Sequence, residues 1–97
     1  MPDSKAYLLV NDQKIPLAYE ETTIGRLSTN LIPINDPTIS KSHAAINYIS
    51  SEDKFYLRDL GTVNGTYLNG NRLEPNKRQV LKHKDSIQFG KRMFCDS

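Results

Sequence analysis

Short apolar runs recur along the chain, each closed by a polar turn. AYLLV (6–10) runs into NDQ, KIPLA (14–18) leads to EE, TTI (22–24) ends at GR, and LIPI (31–34) ends at NDP. HAAINYI (43–49) meets SSED, KFYLRDL (54–60) meets GTVNG, and TYLN (66–69) meets GNR. QVLK (79–82) ends at HKD, and SIQFG (86–90) is followed by KRMFCD (91–96). The longer runs alternate. Phe55, Leu57 and Asp59 share one face, with Tyr56, Arg58 and Leu60 on the other; Ala44, Ile46 and Tyr48 alternate with Ala45, Asn47 and Ile49. Period two with β-branched and aromatic residues predicts strands. No window of eleven or more residues carries a clean helical stripe. Many short strands at close spacing predict an all-β sandwich or barrel. Pro16 is expected in an edge strand or at a bulge, because it cannot donate to a ladder. Asn69-Gly70, between TYL and NRL, predicts a two-residue hairpin turn with positive φ.

The length of 97 residues suits one domain with a small core. Met1 opens the chain, and the chain stops soon after its last strand, so residues 1–97 are expected to form a single domain at the N-terminal part of a longer protein. No apolar stretch is long enough for a transmembrane helix. MPDSKAYLLV lacks the basic region, apolar core and cleavage site of a signal peptide. The lone Cys95 cannot form an internal disulfide, which fits a reducing compartment. Net charge is +2, too small to define a partner, but residues 72–92 carry seven basic groups against Glu74 and Asp85. That segment is +5, so the rest is −3. The plain reading is a solvated charged face. A nucleic-acid surface would interleave aromatics with the cations, and only Phe89 lies inside the segment.

In a β-sandwich the strands supply the core and the loops supply function. Three loops stand out. The first begins at Gly25-Arg26: glycine allows close backbone approach, and arginine offers a planar fork of donors suited to an oxyanion. The second, NDPTISKSH, opens with the turn signal Asp36-Pro37 and carries the Ser40 hydroxyl and the Lys41 charge. The third, DLGTVNGTYLNG (59–70), holds Asn64-Gly65, whose amide side chain can both donate to and accept from a peptide backbone. Each alone is weak evidence: Gly25-Arg26 and Ser40-Lys41 read first as an ordinary surface arginine and an ordinary turn, and Asn64-Gly65 could be another turn.

In this order, GR, ISKSHAAI (39–46) and DLGTVNGTYLNG resemble the forkhead-associated (FHA) domain. The resemblance runs from Thr23 to Gly90, almost element by element, and includes DSIQFG as a late strand ending in glycine. It implies an FHA/SMAD-like β-sandwich of about eleven mostly antiparallel strands, with functional loops at one end. It also implies recognition of a phosphothreonine-containing protein or peptide, with no cofactor and no metal. By the same resemblance, Arg26 matches the phosphate-binding arginine, Ser40 the serine that donates to the phosphate, and Lys41 a further cation there. Asn64 matches the residue that bonds the peptide main chain. His43 matches a histidine that braces the loops, and Gly25 and Gly65 match glycines that shape them. Thr38 lies in the loop that helps select the residue three after the phosphothreonine. The family often has Ser or Thr just before Asn64. Here Val63 stands there, and the hydroxyl sits one residue earlier, at Thr62, which is grouped with the phosphopeptide contacts. Loss of one neutral hydrogen bond costs about 0.5–1.5 kcal/mol.

A phosphomonoester carries about −1.5 to −2 charges at neutral pH and several acceptors. Charge-assisted hydrogen bonds to it contribute roughly 1.5–3 kcal/mol each. Two or three, with a backbone clamp, give affinity of roughly micromolar order, suited to reversible signalling. Other readings point elsewhere. An enzyme would pair Ser40 with His43 and orient it with Asp59, but residues three apart on extended chain face opposite sides, and no nucleophile elbow is present. A metal site from His43, His83 and Cys95 lacks a close ligand pair. Nucleic-acid binding through 72–92 predicts steep salt dependence. A structural or homo-oligomerisation module would keep the fold but bind phosphopeptide weakly or not at all. The favoured expectation is a non-enzymatic phosphothreonine reader, monomeric or weakly dimeric, off the membrane and in the nucleus rather than the cytoplasm.

Overall fold

In the computed structural model of the chain, residues 7–10, 13–17, 21–82 and 85–95 are described. The described residues form eleven strands and no helix, as the period-two runs require: β1 (Tyr7–Val10), β2 (Gln13–Pro16), β3 (Glu21–Gly25), β4 (Ile32–Pro33), β5 (Ala44–Ile49), β6 (Lys54–Asp59), β7 (Thr66–Leu68), β8 (Asn71–Arg72), β9 (Gln79–Leu81), β10 (Ser86–Phe89) and β11 (Arg92–Cys95). Three sheets result. One is the β1-β2 hairpin, which leaves Pro16 at the end of an edge strand. One has four strands in the order β11-β10-β7-β8, and one has five in the order β4-β3-β5-β6-β9. All named pairings are antiparallel except β3 with β4.

The two larger sheets bury one core between them. Ile24, Ile32, Ala44, Ile46 and Leu57 come from the five-stranded sheet; Leu68, Ile87 and Phe89 come from the four-stranded one. Leu17, Ile34 and Ile39 complete it from connecting segments. Alternation along β6 holds: Leu57 and Asp59 are buried while Tyr56 and Arg58 are only partly so. In β5, Ala45 is buried as well as its inward neighbours, although it lies on the opposite face. Its one-carbon side chain sits in register between Thr23 and Arg58, larger neighbours that shield it. Asn69 and Gly70 both take positive φ, 51° and 86°, and close the β7-β8 hairpin as the dipeptide predicts. β8 itself, two exposed polar residues, carried no apolar run to announce it.

Register decides where the loops gather. Ile24 pairs with Ala44, Ala44 with Asp59, and Thr66 with Phe89. The end of β3, the start of β5, the end of β6, the start of β7 and the end of β10 therefore lie at one end of the sandwich. The β3–β4 pairing adds to this. A parallel ladder ordinarily needs a long crossover. Here only Ile24↔Ile32 and Gly25↔Pro33 are in register, so residues 26–31 can loop out and return at once.

Candidate functional site

Backbone hydrogen bonds weld the loop after β3 to the loop before β5. The Arg26 amide donates to the Ser40 carbonyl at 2.9 Å, and the Leu27 amide to the Lys41 carbonyl at 3.4 Å. Gly25 permits this approach. A Cβ there would lie 2.2 Å from the Lys41 carbonyl oxygen, so any other residue would drive the two segments apart. Asn30 adds a double tie, its Nδ2 donating to both the Leu27 and the Lys41 carbonyls at 2.9 Å.

Arg26 is exposed, and its Nε donates to the Ile39 carbonyl at 3.1 Å. That bond uses the inner edge of the guanidinium. Among the described residues, its terminal nitrogens have no protein partner. Ser40, half-buried, lies directly across, held by the Arg26 amide and by its own amide bond to His43. The Ser40 hydroxyl and the Lys41 ammonium have no hydrogen-bond or ion-pair partner among the described residues. Three donor groups, two of them cationic, thus converge on neighbouring backbone with their polar ends uncommitted.

His43 lies fully buried beneath them. Its Nδ1 accepts from the Ser40 amide at 3.0 Å, and its Nε2 lies 2.8 Å from the Gly65 carbonyl. An amide can only donate and a carbonyl only accept, so Nδ1 is bare and Nε2 carries the hydrogen. The ring also packs edge-on against Phe89, with centroids 5.8 Å apart. His43 therefore engages the backbone of Ser40, with its Nδ1 occupied by that amide. His43 thus links the Ser40 amide to the Gly65 carbonyl across two loops. His83, weighed with it as a metal ligand, lies outside the described residues.

The third loop is organised by Asp59, a buried carboxylate. Oδ2 accepts from the amides of Gly61 (2.9 Å) and Thr62 (3.1 Å); Oδ1 accepts from the hydroxyls of Thr62 (2.7 Å) and Thr66 (2.6 Å). Burial is the largest single influence on this carboxyl and opposes its ionisation. The bonds from Thr66, Thr62 and Gly61 together outweigh it and hold the group below the ordinary carboxylate range. Thr62, expected among the phosphopeptide contacts, donates its one hydroxyl proton to Asp59 and accepts from the Gly65 amide at 3.0 Å. Its hydroxyl works inside the loop.

Asn64 is exposed, and its Nδ2 donates to the Thr38 carbonyl at 2.9 Å, joining the third loop to the second. Its Oδ1 and second amide hydrogen have no partner among the described residues. Thr38 is committed in turn. Its amide and hydroxyl both donate to Asp36 Oδ1, and the hydroxyl accepts from the Lys91 amide. Gly65, at φ 83°, presents its carbonyl to both His43 and Gly90. Sequence reasoning did not assign Asn30 or Arg72 to the site. Arg72 Nη2 donates to the Val63 carbonyl at 3.0 Å and holds the third loop from behind. Asp59 it weighed only as an orienting carboxylate. The inward position of Asp59 in an otherwise apolar face was the available signal. Asn30 and Arg72 gave none. Within the basic segment, Arg78 lies over the Tyr56 ring at 4.8 Å and Lys77 pairs with Glu74 at 3.8 Å.

The fold and this loop cluster define a β-sandwich binding module whose uncommitted polar groups lie at one end. The family model for the FHA domain matches residues 22–90, and the chain belongs to the FHA family. Among curated proteins, mouse Smad nuclear-interacting protein 1 is 35% identical over 106 residues, covering 89% of this chain and 27% of that protein. The oxoglutarate dehydrogenase inhibitor of Corynebacterium jeikeium is 33% identical over 96 residues, covering 94% of this chain and 63% of its own length. The chain thus spans about a quarter of the length of the mouse and rat proteins it matches. Among solved structures, the MEK1 FHA domain in complex with a HOP1 phosphothreonine peptide superposes with a TM-score of 0.82 at 33% identity, covering 96% of each chain. Mycobacterium tuberculosis EmbR in complex with a low-affinity phosphopeptide shares the fold at a TM-score of 0.78 and 24% identity, over 93% of this chain and 23% of that one. The FHA resemblance read from the loops, and the all-β sandwich it implied, are both borne out.

Proposed function

We propose that this domain binds phosphothreonine-containing segments of a partner protein and performs no covalent chemistry. The observation that carries the reading is the Arg26–Ser40 pair. Arg26 is fixed through Nε to the Ile39 carbonyl and through its amide to the Ser40 carbonyl, and neither its terminal nitrogens nor the Ser40 hydroxyl has a partner among the described residues. A fixed guanidinium edge with an adjacent hydroxyl suits a tetrahedral dianion, because its donors arrive from two directions without further ordering. Lys41 adds an exposed charge. Asn64, anchored to Thr38, turns its remaining amide groups to the peptide backbone. Thr62 and His43 hold the loops in place, and Thr38 links them. The phosphopeptide complexes of the MEK1 domain and of EmbR support the reading. We place the activity in the nucleus, in keeping with the name of the mouse relative.

The test is calorimetric titration of the domain with a degenerate phosphothreonine peptide library. Matched phosphoserine and unphosphorylated libraries and an Arg26→Ala variant serve as controls. Saturable binding to the phosphothreonine pool alone, lost in the variant, is the expected result. Equal binding of the unphosphorylated pool would sink the reading.

A further inference from the structure

Leu27, Leu31 and Val63 are the large hydrophobic side chains that stand exposed among the described residues, at 43%, 62% and 87%. Exposed apolar residues scattered singly over a surface need no explanation. These three are not scattered. Leu27 and Leu31 belong to the loop that carries Arg26, and Val63 precedes Asn64.

The backbone order places them on opposite flanks. Along the second loop, the Thr38 carbonyl meets Asn64, the Ile39 and Ser40 carbonyls meet Arg26, and the Lys41 carbonyl meets Leu27. Val63 therefore lies toward the Thr38 end and Leu27 toward the Lys41 end, with Arg26 and Ser40 between. Leu27 opens a turn in which the Asn30 amide donates to its carbonyl at 3.1 Å, and Leu31 follows that turn. The Leu31 amide is pinned to Thr23 Oγ1 at 3.0 Å. The third loop is pinned by Arg72 at the Val63 carbonyl itself. Apolar side chains on fixed backbone bind with little ordering cost.

We propose that Leu27 and Leu31 on one side of Arg26, and Val63 on the other, select phosphothreonine segments that carry aliphatic side chains on both sides of the phosphoresidue. This rests on the phosphothreonine reading given above. An extended segment advances about 3.3 Å per residue, so side chains up to three residues from the phosphoresidue extend roughly 10 Å along the chain to either side of it. The residues between the leucines, Ser28, Thr29 and Asn30, are polar, so the apolar character is local to Leu27 and Leu31. An acidic or strongly polar flanking residue would leave the leucines wet and gain nothing there.

The experiment is a phosphothreonine peptide array in which each position within three residues of the phosphothreonine is Leu, Ala, Ser or Glu. It is read by fluorescence anisotropy with the unaltered domain, a Leu27→Ser/Leu31→Ser double variant, Val63→Ser and Arg26→Ala. Thermal melting checks that the exposed substitutions leave the fold intact. The unaltered domain should prefer Leu over Ala by about fivefold at a position on each side, the scale expected for partial burial of one aliphatic side chain. The double variant should lose that preference on one side only, Val63→Ser on the other side only, and Arg26→Ala should lose binding altogether. If phosphothreonine peptides bind through Arg26 but show no aliphatic preference, or keep it in both serine variants, the selection proposal is overturned and the phosphothreonine reading stands. If no phosphothreonine peptide binds at all, both fall.

Discussion

His43 Nε2 donates to the Gly65 carbonyl at 2.8 Å, while its Nδ1 accepts the Ser40 amide at 3.0 Å. One buried imidazole thus joins two loops that lie more than twenty residues apart in the chain, and it sets the position of the serine proposed to donate to phosphate. Removing it leaves a buried void and an unpaired Ser40 amide. His43→Ala is expected to cost about 2–4 kcal/mol in urea unfolding. It should also weaken phosphopeptide binding, although the ring is fully buried, because the Ser40 amide loses its acceptor. A loss below half a kcal/mol would show that the loops do not depend on this brace.

Asp59 makes stability depend on acid. Its folded pKa lies below the ordinary value of 3.8, so it contributes stability that is complete above that value. That stability is lost as pH falls from there through the folded pKa. Unfolding free energy measured across pH 2 to 7 should therefore hold near neutrality and fall steeply below about pH 4. Asp59→Asn should flatten part of that acid limb and lower stability at pH 7 by about 2–4 kcal/mol, since charge-assisted bonds to two hydroxyls and two amides are weakened together. An unchanged acid limb in the variant would remove Asp59 from the account.

Two hydroxyls near the site are expected to behave in opposite ways. Ser40→Ala should lower phosphothreonine-peptide affinity by about tenfold, the loss of one charge-assisted bond, while leaving the melting temperature within a degree or two. Thr62→Val should lower stability by about 1–3 kcal/mol, because it strips a donor from Asp59 and an acceptor from the Gly65 amide. Calorimetry and thermal melts on the same two variants decide it. A direct affinity loss in Thr62→Val without destabilisation would return that hydroxyl to the ligand.

Two glycines separate steric need from conformational need. A Cβ at Gly25 would meet the Lys41 carbonyl at 2.2 Å, backbone against backbone, whereas one at Gly70 would meet nothing within 4 Å. Gly25→Ala should cost about 3 kcal/mol and displace Arg26. Gly70→Ala pays only for its positive φ, about 1 kcal/mol. Equal losses in denaturant melts would contradict the close packing of the first two loops.

The strands and the family could be read directly because their signals are local. Period-two alternation in KFYLRDL and HAAINYI marks β6 and β5, Asn69-Gly70 marks a hairpin, and GR, ISKSHAAI and DLGTVNGTYLNG mark the loops of one domain family. Arg26, Ser40, Lys41 and Asn64 could be nominated as candidates by residue type and position for the same reason. Which of their atoms are free could not. That depends on hydrogen bonds such as Arg26 to Ile39, Asn30 to Lys41 and Asn64 to Thr38, which join residues 11 to 26 positions apart. Loops have no periodicity to announce such partners; strand register brings them together. Tertiary structure alone gave Asp59 its four donors, the Thr62 hydroxyl among them, and put Arg72 against the Val63 carbonyl. It also left Leu27, Leu31 and Val63 in solvent, because they lie on connections outside the strands whose inward faces build the core.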